Sequence, residues 1–235
     1  MLDFSPEGIA STLLSLPIIL FSLSAHEYAH GYAANKLGDP TARNLGRLTL
    51  NPIKHLDIIG FICMVLFGFG WAKPVPINSR NFKKPRRDMA LSAIAGPLTN
   101  LLIGFVFMIL SFISQEIVFS IPAWAESLRD PFSIPSLVLT FIYSGAVLNV
   151  YLAVFNMLPI PPFDGSRFFY IFLPTKWYFG IMKYERIIMI VLLVLLWTDI
   201  LTLPLSFISG LIIDGMMFLI ESAATLIMGL ISLFA

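Results

Sequence analysis

Apolar runs as long as a bilayer is thick, separated by short polar stretches, set the pattern of this chain. A membrane-spanning helix needs about 20 predominantly apolar residues. Residues 9–37, 89–113 and 136–158 each reach that length, and residues 187–235 are long enough for two spans. A break in that last stretch is predicted near Thr202-Leu203-Pro204, with Asp199 just ahead of it in a turn at the membrane surface. Residues 56–71 are apolar too, but about 16 residues is short for a crossing. Their flanks, residues 46–50 and 72–78, read as strands, the second confined by Pro74 and Pro76 to an edge or an irregular hairpin. The pattern predicts an all-α polytopic membrane protein with about five transmembrane helices and a small membrane-associated re-entrant β segment. No repeat, low-complexity tract or appended soluble module interrupts it, so residues 1–235 are expected to form one integral membrane domain.

Charge placement decides how residues 56–71 are read. Lys36, Arg43, Arg47 and Lys54 precede them, and Lys73, Arg80, Lys83, Lys84, Arg86 and Arg87 follow. A crossing would put strongly basic loops on both sides of the membrane, whereas a re-entrant segment keeps all of them on one side. Arg167, Lys176, Lys183 and Arg186 then join that side, and only Arg129 is left opposite, among Glu116, Glu126 and Asp130. The positive-inside rule makes the basic side cytoplasmic and the amino terminus external. The expected location is the cell membrane, multi-pass. The first eight residues carry Asp3 and Glu7 but no Lys or Arg, so no cleavable signal peptide is expected.

Composition supports the membrane reading. Hydrophobic residues make up 57% of the chain and charged residues 12%, against about 25% charged in a soluble domain. Too little polar surface remains to cover a globule in water. A net charge of +1 gives no reason to expect a nucleic-acid partner. The single cysteine, Cys63, excludes an internal disulfide and argues against a thiolate metal site.

Against that apolar background one cluster stands out: His26-Glu27-Tyr28-Ala29-His30. Histidines four apart share a helix face, so both imidazoles reach one zinc ion, and Glu27 beside them is placed to take a proton from water. Charged and metal-binding groups are costly in hydrocarbon and mark function there. A catalytic zinc has three protein ligands and an open position. The best third ligand is Asp164, in Asn156-Met157-Leu158-Pro159-Ile160-Pro161-Pro162-Phe163-Asp164-Gly165, where three prolines stop a helix. Irregular backbone at membrane depth is tolerated where it lines a cavity or is buried in protein.

Together these blocks, with Ala95-Gly96-Pro97-Leu98-Thr99-Asn100 between them, resemble the site-2 protease family of intramembrane zinc metalloproteases, in its compact bacterial branch without PDZ or CBS domains. The resemblance spans residues 22–169, with additional transmembrane helices over about residues 187–235. It implies one Zn2+ per chain held by His26, His30 and Asp164, with Glu27 as general base and later proton donor to the leaving amine. It also implies that Asn156 binds the substrate backbone or its developing oxyanion, a role that suits a neutral amide donor. The expected function is hydrolysis of peptide bonds within or near transmembrane segments of other membrane proteins, in regulated intramembrane proteolysis. The expected partners are those substrates and the lipid bilayer. A competing reading is a non-enzymatic membrane protein that binds or transports zinc, but transport has no evident use for Glu27. His55, Asn100, Asp214 and Glu221 have no role fixed by sequence; Asn100 reads equally well as a helix–helix hydrogen bond.

Overall fold

A computed structural model of the chain describes residues 5–67, 70–198 and 200–234. Four of the described helices are long and apolar enough to cross a membrane, at Gly8–Lys36, Pro85–Ser120, Ile134–Asn156 and Thr202–Ser232. They belong to α1 (Pro6–Lys36), α5 (Pro85–Ser120), α7 (Ile134–Asn156) and α11 (Thr202–Phe234). Local chemistry sets their starts. Ser5 accepts from Gly8 N at 3.0 Å ahead of Pro6, and Ser133 accepts from Ser136 N at 3.3 Å ahead of Pro135.

Helix α5 is the hub, packed against α1, α7, α8 (Asp164–Phe169) and α11. Met108, Ala146 and Ile220 form one buried cluster, and Val150, Val154 and Leu205 another. Small residues let the helices close up, as is usual without a hydrophobic drive between them in lipid. A Cβ at Gly145, for instance, would lie 2.5 Å from the Phe107 ring.

Short helices make up the connections. Helices α2 (Thr41–Asn44), α3 (Pro52–His55) and α4 (Ile58–Phe67) follow α1, and α6 (Pro122–Ser127) follows α5. Helices α9 (Thr175–Met182) and α10 (Glu185–Trp197) lie between α8 and α11.

Two sequence expectations are not met among the described residues. The fifth span is not among the described helices: α10 has 13 residues, about 20 Å at 1.5 Å per residue, too short for a bilayer core of about 30 Å. The break before α11 does fall where predicted, with Pro204 in the first helical turn. The turn expected at Asp199 lies outside the described residues.

The strands over 46–50 and 72–78 do not form either; among the described residues this region has one isolated antiparallel bridge, Leu56 to Ala72. Pro74 and Pro76 lack N–H groups, and several of the other backbone groups are bound by side chains instead of a ladder. Val75 N donates to Glu27, Asn78 N to Asp39, and the Arg47 guanidinium reaches Lys73 O and Pro74 O. The bridge and the bond from Lys73 N to His55 O, 2.8 Å, bring the two ends of the apolar 56–71 segment together.

Candidate metal centre

His26 and His30, one turn apart on α1, both face α5. His26 Nδ1 lies 2.9 Å from Asn100 Oδ1, and His30 Nδ1 lies 2.7 Å from Ser92 O. Ser92, Gly96 and Asn100, spaced by four, form one buried stripe along α5. A Cβ at position 96 would sit 2.5 Å from His30 Nε2 and 2.7 Å from His26 Cε1, so only glycine leaves room for the rings.

Asp164 arrives from the other side. Prolines 159, 161 and 162 end α7, the Pro161–Pro162 peptide is cis, and Asp164 opens α8. A Cβ at Gly165 would lie 2.2 Å from Met157 O, a close backbone approach that returns α8 to the end of α7. Asp164 Oδ2 then stands 3.0 Å from His26 Nε2 and 2.9 Å from His30 Nε2, and the two Nε2 atoms are 3.0 Å apart. Side-chain exposures of 6%, 8% and 14% keep this triad out of bulk solvent.

The donor set fits a cation. Ser92 O is a carbonyl and only accepts, so His30 carries its proton on Nδ1 and presents an Nε2 lone pair. Asn100 Oδ1 places the His26 proton in the same way. Three lone-pair atoms therefore face one another at hydrogen-bond distance with no proton of their own between them, which is favourable around a positive ion. Two imidazoles and a carboxylate are ligands zinc takes, with bonds of about 2.0–2.2 Å.

Glu27 is half-buried on the adjacent face of α1, and its Oε2 accepts the Val75 N–H at 2.7 Å. The 72–78 segment that brings this N–H is tied down at Asp39. That buried carboxylate accepts from Asn78 N (2.7 Å), Asn81 Nδ2 (2.7 Å), Thr41 N (3.1 Å) and the Thr41 hydroxyl. Burial works against its charge, but the hydrogen bonds from Thr41, Asn81 and Asn78 outweigh it and hold its pKa below the usual carboxylate value.

Asn156, at the end of α7, donates from its amide to Leu152 O on its own helix at 2.9 Å. His55 is buried and bonded through Nε2 to Thr49 O at 2.8 Å, and lines a cleft with Ser24, Asp57 and Trp71. Asp214 and Glu221 are exposed, on the side of α11 opposite the buried Leu205, Ser209 and Ile220. Asn100, left open by sequence, is a partner of His26. Sequence reasoning missed Ser92 and also Asn149, whose side-chain oxygen accepts from Asn100 Nδ2 at 3.3 Å. The signal for Ser92 was its four-residue spacing from Gly96 and Asn100.

The profile of Peptidase family M50 matches residues 15–198. A Bacillus subtilis (strain 168) protein named "Putative zinc metalloprotease YwhC" is 45% identical over 150 residues, 63% of this chain and 64% of that protein. A Methanocaldococcus jannaschii protein, "Putative zinc metalloprotease MJ0611", is 35% identical over 111 residues, 47% of this chain and 48% of its own length. The chain thus spans less than two thirds of the length of these relatives. No solved structure gives a significant match. With the family profile covering well over half of its residues, the chain belongs to Peptidase family M50, the site-2 protease family.

Proposed function

We propose that the protein is an intramembrane zinc metalloendopeptidase that cleaves other membrane proteins within or near their transmembrane segments, in regulated intramembrane proteolysis. The observation that carries this reading is the convergence of His26, His30 and Asp164 beside the Glu27 carboxylate. His26, His30 and Asp164 would hold the zinc, one per chain. Bound there, zinc supplies a Lewis acid that acidifies water and polarises a carbonyl. Glu27 accepts the proton of the attacking water on the oxygen not occupied by Val75 N–H, then delivers it to the leaving amine. Asn156 keeps a second amide N–H beyond the one given to Leu152 O, and this N–H serves the substrate backbone or its oxyanion.

The substrate must unwind locally, because a helical peptide carbonyl is engaged in a hydrogen bond. The 72–78 segment, extended and already directed at Glu27, is a surface on which an unwound chain adds as a strand. The 56–71 segment re-enters the membrane from the cytoplasmic side, the amino terminus lies outside, and the centre opens toward the cytoplasm in one integral membrane domain. The closed ends of that segment and the segregation of fourteen of the fifteen basic residues support this topology.

The test is Glu27→Gln in purified protein. Zinc content and fold are retained while cleavage of a membrane-embedded test substrate falls by about 10²–10⁴-fold, the usual worth of a general base. Cleavage at the wild-type rate defeats the protease reading and leaves a metal-binding or transport protein. Asn156→Ala keeps zinc and loses about 10²–10³-fold in turnover; loss of metal instead would assign Asn156 to structure.

A further inference from the structure

A directed chain of amides joins α7 to the metal centre. Asn149 Nδ2 donates to Gly145 O at 2.8 Å, one turn back on the same helix. A carbonyl only accepts, so this end of the carboxamide has to be nitrogen. The oxygen of Asn149 is thereby turned toward α5, where Asn100 Nδ2 donates to it at 3.3 Å. That leaves Asn100 Oδ1 facing His26 Nδ1. Asn149 and Asn100 are both 0% exposed, so bulk water cannot substitute for either partner. His30 reaches the same result in one step, because the carbonyl of Ser92 cannot be turned over.

We infer that Asn149 is a positioning residue for the metal centre: it fixes the orientation of the Asn100 amide and, through it, the tautomer of His26. An inverted Asn100 would present its NH2 to His26 Nδ1. The ring proton would then move to Nε2, and the lone pair aimed at the other two donors would be lost. Inversion would also set Asn100 Oδ1 against Asn149 Oδ1, two acceptors with no proton between them. Asn149 cannot yield without giving up Gly145 O. The polarity of the chain therefore originates at a backbone carbonyl and ends at a ligand atom. The inference rests on His26 being a zinc ligand.

A double-mutant cycle tests it. Asn149→Leu keeps the branching at Cγ, with a somewhat larger volume, and removes the acceptor. Asn100→Asp presents oxygen to His26 whichever way it turns, so His26 no longer depends on Asn149. Zinc affinity is measured on the full chain in detergent by chelator competition, alongside the electronic spectrum of the cobalt-substituted protein. Asn149→Leu is expected to weaken zinc by about 10–100-fold, the usual effect of removing an outer partner of a ligand, and to alter the cobalt bands. In the Asn100→Asp background the same substitution should cost nothing. Equal loss in both backgrounds, or no loss in the wild type, overturns the inference, since a packing role would be indifferent to residue 100. If the leucine variant fails to fold, Asn149→Ala carries the same expectation. Wild type and His26→Ala serve as controls. If wild type binds no zinc, or His26→Ala keeps it, the metal assignment itself has failed.

Discussion

Two neighbouring faces of α1 carry the two halves of the proposed chemistry, and they are built differently. The face of His26 and His30 meets another helix: the rings press on Gly96 and bond to Ser92 O and Asn100 Oδ1 of α5. The face of Glu27 and Gly31 meets irregular backbone, the 72–78 segment, whose own supports are the side chains of Asp39 and Arg47. A helix repeats its geometry, so a ligand face set on it is rigid and its spacing is visible in sequence. An extended segment held by scattered side chains is easier to displace. That suits a surface that must admit a substrate next to the general base and then release it.

The strongest way to break the metal face is to remove the ligand that does not belong to α1. Asp164→Ala should lose most of its zinc by metal analysis and all measurable cleavage. Asp214→Asn, a carboxylate on the outward side of α11, should change neither. An Asp164→Ala protein with full zinc occupancy and unchanged coordination would detach Asp164 from the centre.

A matched pair of glycine substitutions then sharpens the contrast between the faces. At Gly96 the added methyl meets His30 Nε2 at 2.5 Å, and the ring must leave its position. Gly96→Ala is therefore expected to weaken zinc by about 10–100-fold, as for other disturbances of ligand orientation. At Gly31 the methyl meets Val75 Cγ1 at 3.1 Å and Ala42 Cβ at 3.2 Å, contacts that relax by a few tenths of an ångström. Gly31→Ala should leave zinc unchanged and shift KM for a membrane substrate by a few-fold at most, about 1 kcal/mol or less. Equal zinc loss in the two variants would mean that the faces are mechanically one.

The same contrast explains what the sequence disclosed. The grouping of His26, His30 and Asp164 was legible because a four-residue spacing puts both rings on one helix face and three prolines force irregular backbone next to a carboxylate. The long spans were legible from length and hydropathy. The extended region was not. Residues 72–78 form a strand only if their backbone groups pair with a neighbouring strand, and here, beyond Lys73 N on His55 O, the partners are the side chains of Glu27, Asp39 and Arg47, far away in sequence. Nor could hydropathy separate α11 from the core. Its most apolar stretch is as apolar as that of α7, yet 11% of it is buried, compared with 33% for α7. The fifth span is not found among the described helices: the break foreseen near Thr202 leaves only residues 187–201 ahead of it, and α10 there has 13 residues.

The smallest expected effect probes the anchor of the softer face. Asp39 has its pKa held below the usual carboxylate value, against the opposing effect of burial, by hydrogen bonds from Thr41, Asn81 and Asn78, the last of which ties down the 72–78 segment. Its ionised form is thus favoured in the folded state. The stabilisation is fully present above the unfolded-state pKa of about 3.9 and is lost as pH falls through the depressed folded value. Amide exchange at Val75 and Asn78, corrected for its intrinsic pH dependence, should therefore be slow near neutrality and accelerate below about pH 4. Asp39→Asn turns one acceptor into a donor and cannot keep the same four bonds. Its cost, about 1–2 kcal/mol, corresponds to roughly tenfold faster exchange of those amides at neutral pH, with no further acid step from this position. Zinc affinity measured at neutral pH should be the same as in wild type, because the rings on the other face do not touch this anchor. An acid step of wild-type size in Asp39→Asn would move the control of the segment to another group. A loss of zinc would show that the two faces of α1 are not independently supported.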